Sequence, residues 1–128
     1  MLFELKDFIM HSGKQGKWKI ECYALTDEDW DTVAYWVSEK FDFKQVRGVP
    51  TGGLKLQNAL FKYRNPESRT FIIVDDVLTT GSSMDDFRYA LDIGNRNRSI
   101  EKAIGVVLFA RGKCPDWVEP IFQMWEEK

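Results

Sequence analysis

The fifteen residues from Thr70 to Met84, TFIIVDDVLTTGSSM, constrain this chain more than any other stretch. Phe71, Ile72, Ile73 and Val74 form a short, largely β-branched apolar run of the kind that makes a buried strand. Two carboxylates, Asp75 and Asp76, follow at once. Val77 and Leu78 then lead into a loop of small residues: Thr79, Thr80, Gly81, Ser82 and Ser83. Behind the loop, Met84, Phe87 and Leu91 are spaced for one face of a helix. The expected order is therefore strand, acidic turn, hydroxyl-and-glycine loop, helix.

That order suits a phosphate. The first turn of a helix carries unpaired N–H groups and the positive end of the macrodipole, and both attract an anion. Gly81 lets the main chain curl close to a ligand, and the four flanking hydroxyls add donors without bulk. Asp75 and Asp76 would repel a phosphate on contact, but an ionised carboxylate accepts the hydrogen bonds that a sugar diol donates. Neighbouring strand residues point to opposite faces, so both acids can serve one ligand only where the strand ends. A sugar phosphate lying across the carboxyl end of a strand satisfies all of this, and open α/β sheets bind ligands there. An ordinary strand–helix junction with Asp and Ser caps would need only one acid and one hydroxyl.

The stretch resembles the phosphoribosyl pyrophosphate (PRPP) motif of type I phosphoribosyltransferases: an apolar strand, two acids, two more residues, then Thr-Thr-Gly-Ser. A second loop supports the likeness. Gln45, Val46, Arg47, Gly48 and Val49 read as a short strand, from which Pro50, Thr51, Gly52 and Gly53 turn into a helix marked by Leu54, Ala59, Leu60 and Tyr63. Gly48 and Gly53 have P-loop spacing, but Leu54-Lys55 replaces the required Lys-Ser/Thr, and no G-x-G-x-x-G is present. The loop resembles the pyrophosphate loop of the same family and precedes the central motif, as it does there. Arg111, after the apolar strand of residues 103–110, matches in place the arginine that holds the base in orotate-type enzymes, and a guanidinium suits a carboxylate or paired carbonyls.

The N-terminal residues 8–14 with Trp18 resemble, more loosely, the opening of orotate phosphoribosyltransferases, a hood over the base. His11 stands where that family usually has Lys, which implies a contact to the base or pyrophosphate. Residues 1–10 have the spacing of a short helix, and the alternation of Trp18, Ile20, Cys22 and Ala24 is that of a half-exposed strand. Thr26 followed by Asp29 reads as a capping box. It opens a helix of about three turns with Trp30, Val33, Ala34, Val37 and Phe41 inward.

With 128 residues and a net charge of −2, the chain is expected to be one domain, a hood over 1–25 and a core over 26–128. The charge gives no footprint for nucleic acid, and no apolar run reaches a membrane span or signal peptide. Cys22 and Cys114 are too isolated for a metal or disulfide framework, which points to reduced thiols and a cytoplasmic setting. Strands near 45–49, 71–75, 103–110 and 121–125, the last at an edge, imply an α/β fold with a mainly parallel sheet flanked by helices.

The resemblance implies transfer of a phosphoribosyl group between PRPP and a nitrogenous base, orotate or another pyrimidine, with release of pyrophosphate. It places Asp75 and Asp76 on the ribose hydroxyls as the catalytic acids. The PRPP site would span Asp75, Asp76, Val77, Leu78, Thr79, Thr80, Gly81, Ser82 and Ser83. Pro50, Thr51, Gly52 and Gly53 would hold the pyrophosphate, with Arg111 and His11 at the base. Mg2+ would arrive mainly on the pyrophosphate, no protein metal site is implied, and the family usually dimerises. Orotate-type enzymes carry a long mobile basic loop before the PRPP strand, whereas residues 63–69 here are a short link. The alternative is therefore a regulatory protein that binds PRPP or a nucleotide without turnover. A phospho-receiver domain also places paired acids after an apolar strand, but in its first strand, and the 52 residues after Asp76 are expected to be too few for the rest of that fold. A Ser/His/Asp hydrolase lacks its G-x-S-x-G elbow.

Overall fold

The computed structural model describes residues 21–91 and 100–124, together with the backbone of four two-residue strands near the N-terminus. These are β1 (Phe3–Glu4), β2 (Phe8–Ile9), β3 (Gln15–Gly16) and β4 (Lys19–Ile20). β1 pairs with β4 and β2 with β3, both antiparallel. Where a helix was expected over 1–10, the described pairs Phe3–Glu4 and Phe8–Ile9 are strand. The strand expected as far as Ala24 stops at Ile20. A 3-10 turn, Cys22–Ala24, follows, with Cys22 buried and Tyr23 exposed.

Helix α1 (Asp27–Lys40) is longer than the expected three turns. Its capping box is present: Thr26 Oγ1 accepts from the Asp29 N–H, and Asp29 accepts from the Thr26 N–H. Trp30, Val33, Ala34 and Val37 form its buried face. β5 (Gln45–Gly48), α2 (Leu54–Leu60) and a 3-10 turn (Phe61–Tyr63) follow. On α2 the buried residues are Leu56 and Leu60. Leu54 is 37% exposed because the inward stripe begins two residues later. Then come β6 (Thr70–Leu78), α3 (Ser82–Leu91), β7 (Lys102–Ala110) and β8 (Val118–Gln123).

The four long strands form one parallel sheet in the order β5-β6-β7-β8, so β8 is an edge strand as expected. β6 alternates as a strand covered on both faces must. Ile72 and Val74 pack with α1 and α2 residues, whereas Phe71 and Ile73 pack with Met84 of α3. Fully burying one such side chain stabilises the fold by about 1.5–3 kcal/mol. Helices therefore cover both faces, and the loops leaving β5, β6 and β7 gather at one carboxyl edge. Among the described residues no helix is long and apolar enough to cross a membrane.

Candidate functional site

β6 does not end at the acids. It continues through Asp75 and Asp76 to Leu78, so the expected acidic turn is strand. What changes at the acids is the alternation. Val77 packs with the α1 cluster and Leu78 with the α3 cluster, the reverse of the parity upstream. In β7 the consecutive Leu108 and Phe109 both join the α1 cluster. The ladders skip this level: the pairing runs from Asp75↔Val107 to Val77↔Phe109, and from Val107↔Pro120 to Phe109↔Phe122. The carboxylates take up main-chain donors here, with Asp75 Oδ1 accepting from the Asp76 N–H (2.8 Å) and Asp76 Oδ1 from the Val77 N–H (2.7 Å). A break in the pleat, rather than a strand end, lets adjacent acids share one locality.

That locality is costly for charge. Asp75 is 9% exposed, and burial, reinforced by the Asp76 carboxylate beside it, pushes its carboxyl up to about 8. Cys22, brought over by the 3-10 turn, is also close. Burial first, then the charges of Asp76 and Asp75, push its thiol up to about 12. Cys22 is therefore an inert neighbour of the acids, which its isolation in the sequence did not reveal.

The two glycine loops meet. A β-carbon on Gly52 would lie 2.6 Å from the Asp76 carboxylate carbon, so the absence of a side chain there lets Asp76 sit over the loop after β5. The loop is folded tightly: the Gly53 N–H donates to the Val49 carbonyl (2.8 Å), and the Gln57 side chain accepts from the Gly48 N–H (2.8 Å). Pro50 and Thr51 are exposed, Gly52 is half-buried and Gly53 is buried; the Pro50–Thr51 peptide is cis.

In the loop after β6, Thr80, Ser82 and Ser83 are exposed and Thr79 half-buried, leaving four hydroxyls at the start of α3. Thr80 Oγ1 accepts from the Ser82 N–H (3.3 Å) and lies 3.0 Å from Ser82 Oγ. Gly81 has φ +86°, a conformation that side chains rarely adopt. The side chains of Val77 and Leu78 belong to the core, so only their main chain faces this edge. Arg111 follows β7 directly, and its N–H donates to the Leu78 carbonyl (2.8 Å). Asp75, Asp76, the two loops and Arg111 are thus brought to one edge, while His11 lies outside the described residues. The residues between β7 and β8 also reach this edge through contacts about 30 positions away in sequence, which no local pattern signals.

No family model matches the sequence, and no curated protein matches it. Solved structures do match in fold. The orotate phosphoribosyltransferase from Aeropyrum pernix superposes with a TM-score of 0.73 at 20% identity, covering 96% of this chain and 88% of that one. This is the type I phosphoribosyltransferase fold. A Mycobacterium tuberculosis H37Rv orotate phosphoribosyltransferase gives 0.66 at 12% identity, covering 95% and 89%. The Helicobacter pylori xanthine-guanine-hypoxanthine phosphoribosyltransferase gives 0.53 at 12%, covering 74% and 88%. Within this fold the present chain is similar to both orotate- and purine-directed proteins, and the two orotate proteins superpose more fully.

Proposed function

We propose that this protein is a phosphoribosyltransferase that joins a nitrogenous base, orotate or another pyrimidine, to the ribose of PRPP. A ring nitrogen of the base bonds to C1 of the ribose while the C1–O bond breaks, its electron pair leaving with pyrophosphate. Charge develops on the sugar in an oxocarbenium-like transition state, so the protein's part is to position the reactants and stabilise that charge. Residues 79–83 hold the 5′-phosphate, Asp75 and Asp76 the ribose hydroxyls, residues 50–53 the pyrophosphate, and Arg111 with His11 the base. Among the described residues no set of three or more His, Cys, Asp or Glu could hold a metal ion alone. In this proposal Mg2+ travels on the pyrophosphate, as the resemblance implies.

The observation that carries the reading is the meeting of Asp76 with Gly52. It supports the reading by bringing the acid proposed to bind the ribose diol against the loop proposed to bind pyrophosphate, which follows the neighbouring parallel strand. Incubation with PRPP, Mg2+ and orotate should release pyrophosphate and form a nucleotide, read by chromatography. Asp76→Asn should weaken PRPP binding by about 1–3 kcal/mol, as loss of a charged hydrogen-bond partner does. No pyrophosphate release with any pyrimidine or purine base would overturn the enzymatic reading.

One observation favours binding without turnover. The link from the 3-10 turn to β6 is short and tied down. The Asn65 N–H donates to the Phe43 carbonyl (2.7 Å), the Asn65 amide to Asp42 (3.0 Å), and Arg69 pairs with Glu101 (2.7 Å). A link held in this way has little reach to close over a reacting substrate. PRPP binding by calorimetry without base-dependent pyrophosphate release is the result that selects this second reading.

A further inference from the structure

β7 and β8 are joined by residues 111–117 alone, with no helix. Parallel crossovers ordinarily take a dozen or more residues. This one runs straight back, touching the loop of residues 79–83 and the start of α3 as it goes. The Arg111 N–H donates to the Leu78 carbonyl (2.8 Å). A β-carbon on Gly112 would stand 2.8 Å from the Thr79 carbonyl oxygen. Pro115 lies over Gly81, whose β-carbon would meet its Cγ at 2.8 Å and its Cδ at 2.9 Å. Trp117 Nε1 donates to Asp85 Oδ1 (2.7 Å) in the first turn of α3, and the Arg88 guanidinium lies 4.8 Å from the same ring. Behind, the Gln123 amide donates to the carbonyls of Ala110 (3.3 Å) and Gly112 (3.1 Å).

The geometry points to a brace in which residues 111–117 fix the hydroxyl-and-glycine loop against α3, with Trp117 and Asp85 as a positioning pair for the phosphoryl site. Its functional half rests on the reading of residues 79–83 as a phosphate loop; its structural half does not. A cradle of main-chain amides holds an anion well only if those amides are fixed before the anion arrives, because ordering them on binding costs conformational entropy. A carboxylate in the first turn of α3 would otherwise be free to approach and repel a phosphate. The indole N–H ties Asp85 to the brace.

Asp85 is exposed, so its variants should fold. Asp85→Asn removes the charge and keeps the acceptor, whereas Asp85→Ala removes both; the difference isolates the bond to Trp117. Hydrogen exchange in the free protein should be unchanged at residues 79–83 in Asp85→Asn but several-fold faster in Asp85→Ala and Trp117→Phe. Ribose 5-phosphate should bind about 3–10-fold more weakly to Asp85→Ala than to Asp85→Asn, the scale of one hydrogen bond to a charged or amide acceptor. Pyrophosphate, assigned to the untouched β5 loop, should bind all variants alike. Equal exchange and equal ribose 5-phosphate affinity in the Asn and Ala variants overturn the brace, as does a parallel loss of pyrophosphate affinity, which would mean general loosening. Wild-type protein that binds neither ligand overturns the phosphoribosyl reading and the functional half of the brace. The exchange comparison then still decides its structural half.

Discussion

Asp75→Asn tests the electrostatic heart of the site without needing a ligand. The carboxyl is raised in the folded protein, first by burial and then by Asp76, from the ordinary 3.8 to about 8. Between those values the folded state holds a proton that the unfolded chain has released, so stability falls as pH rises through the window. Below it there is no cost, and above it the cost is complete. The whole interval corresponds to roughly 5–6 kcal/mol at about 1.4 kcal/mol per unit, an upper bound because Asp76 shares the repulsion and water can reach the edge. A neutral amide keeps the acceptor for the Asp76 N–H and removes the charge. The stability of Asp75→Asn relative to wild type should therefore rise by about 2–4 kcal/mol between about pH 4 and pH 9, read from urea unfolding of both proteins. Stability curves that run parallel across that pH range would refute the reasoning.

Gly52→Ala places a methyl against the Asp76 carboxylate and should weaken PRPP binding by about tenfold or more through displacement of that acid. Calorimetry checks it, and a variant as tight as wild type shows the contact to be dispensable. Gly81→Ala must adopt a positive φ and also clashes with Pro115, so it should lose about 1–3 kcal/mol of stability in urea unfolding. Alkylation of the native protein at about pH 8, followed by peptide mass spectrometry, should leave Cys22 unmodified until denaturant is added, because its thiol is buried and held protonated. Rapid labelling of Cys22 in the folded state would place it away from the acids.

The sheet was legible because its strands are continuous apolar runs, and the two glycine loops because small residues follow such runs directly. The position of the acids was not. A period of two predicts that Asp75 and Asp76 diverge, and only the ladders show the pairing interrupted at one level across β6, β7 and β8. Interruption at one level in three strands is a property of the sheet, which no single strand's sequence carries. α2 was legible in its place, but its buried face was not: Leu54 and Leu56 are equally apolar, and only the approach of the sheet buries the second and exposes the first.

The return segment makes the same point more sharply. Cys114-Pro115 reads locally as a turn, and nothing near it names Thr79, Gly81 or Asp85 as partners of the segment. Yet Gly81 is constrained twice, by its own φ and by Pro115 above it, and the second constraint exists only because β8 lies parallel to β7. An antiparallel β8 could follow from a two-residue hairpin and would leave the loop uncovered. The parallel choice sends seven residues back over the carboxyl edge, so the topology of an edge strand determines how firmly the proposed phosphate loop is held.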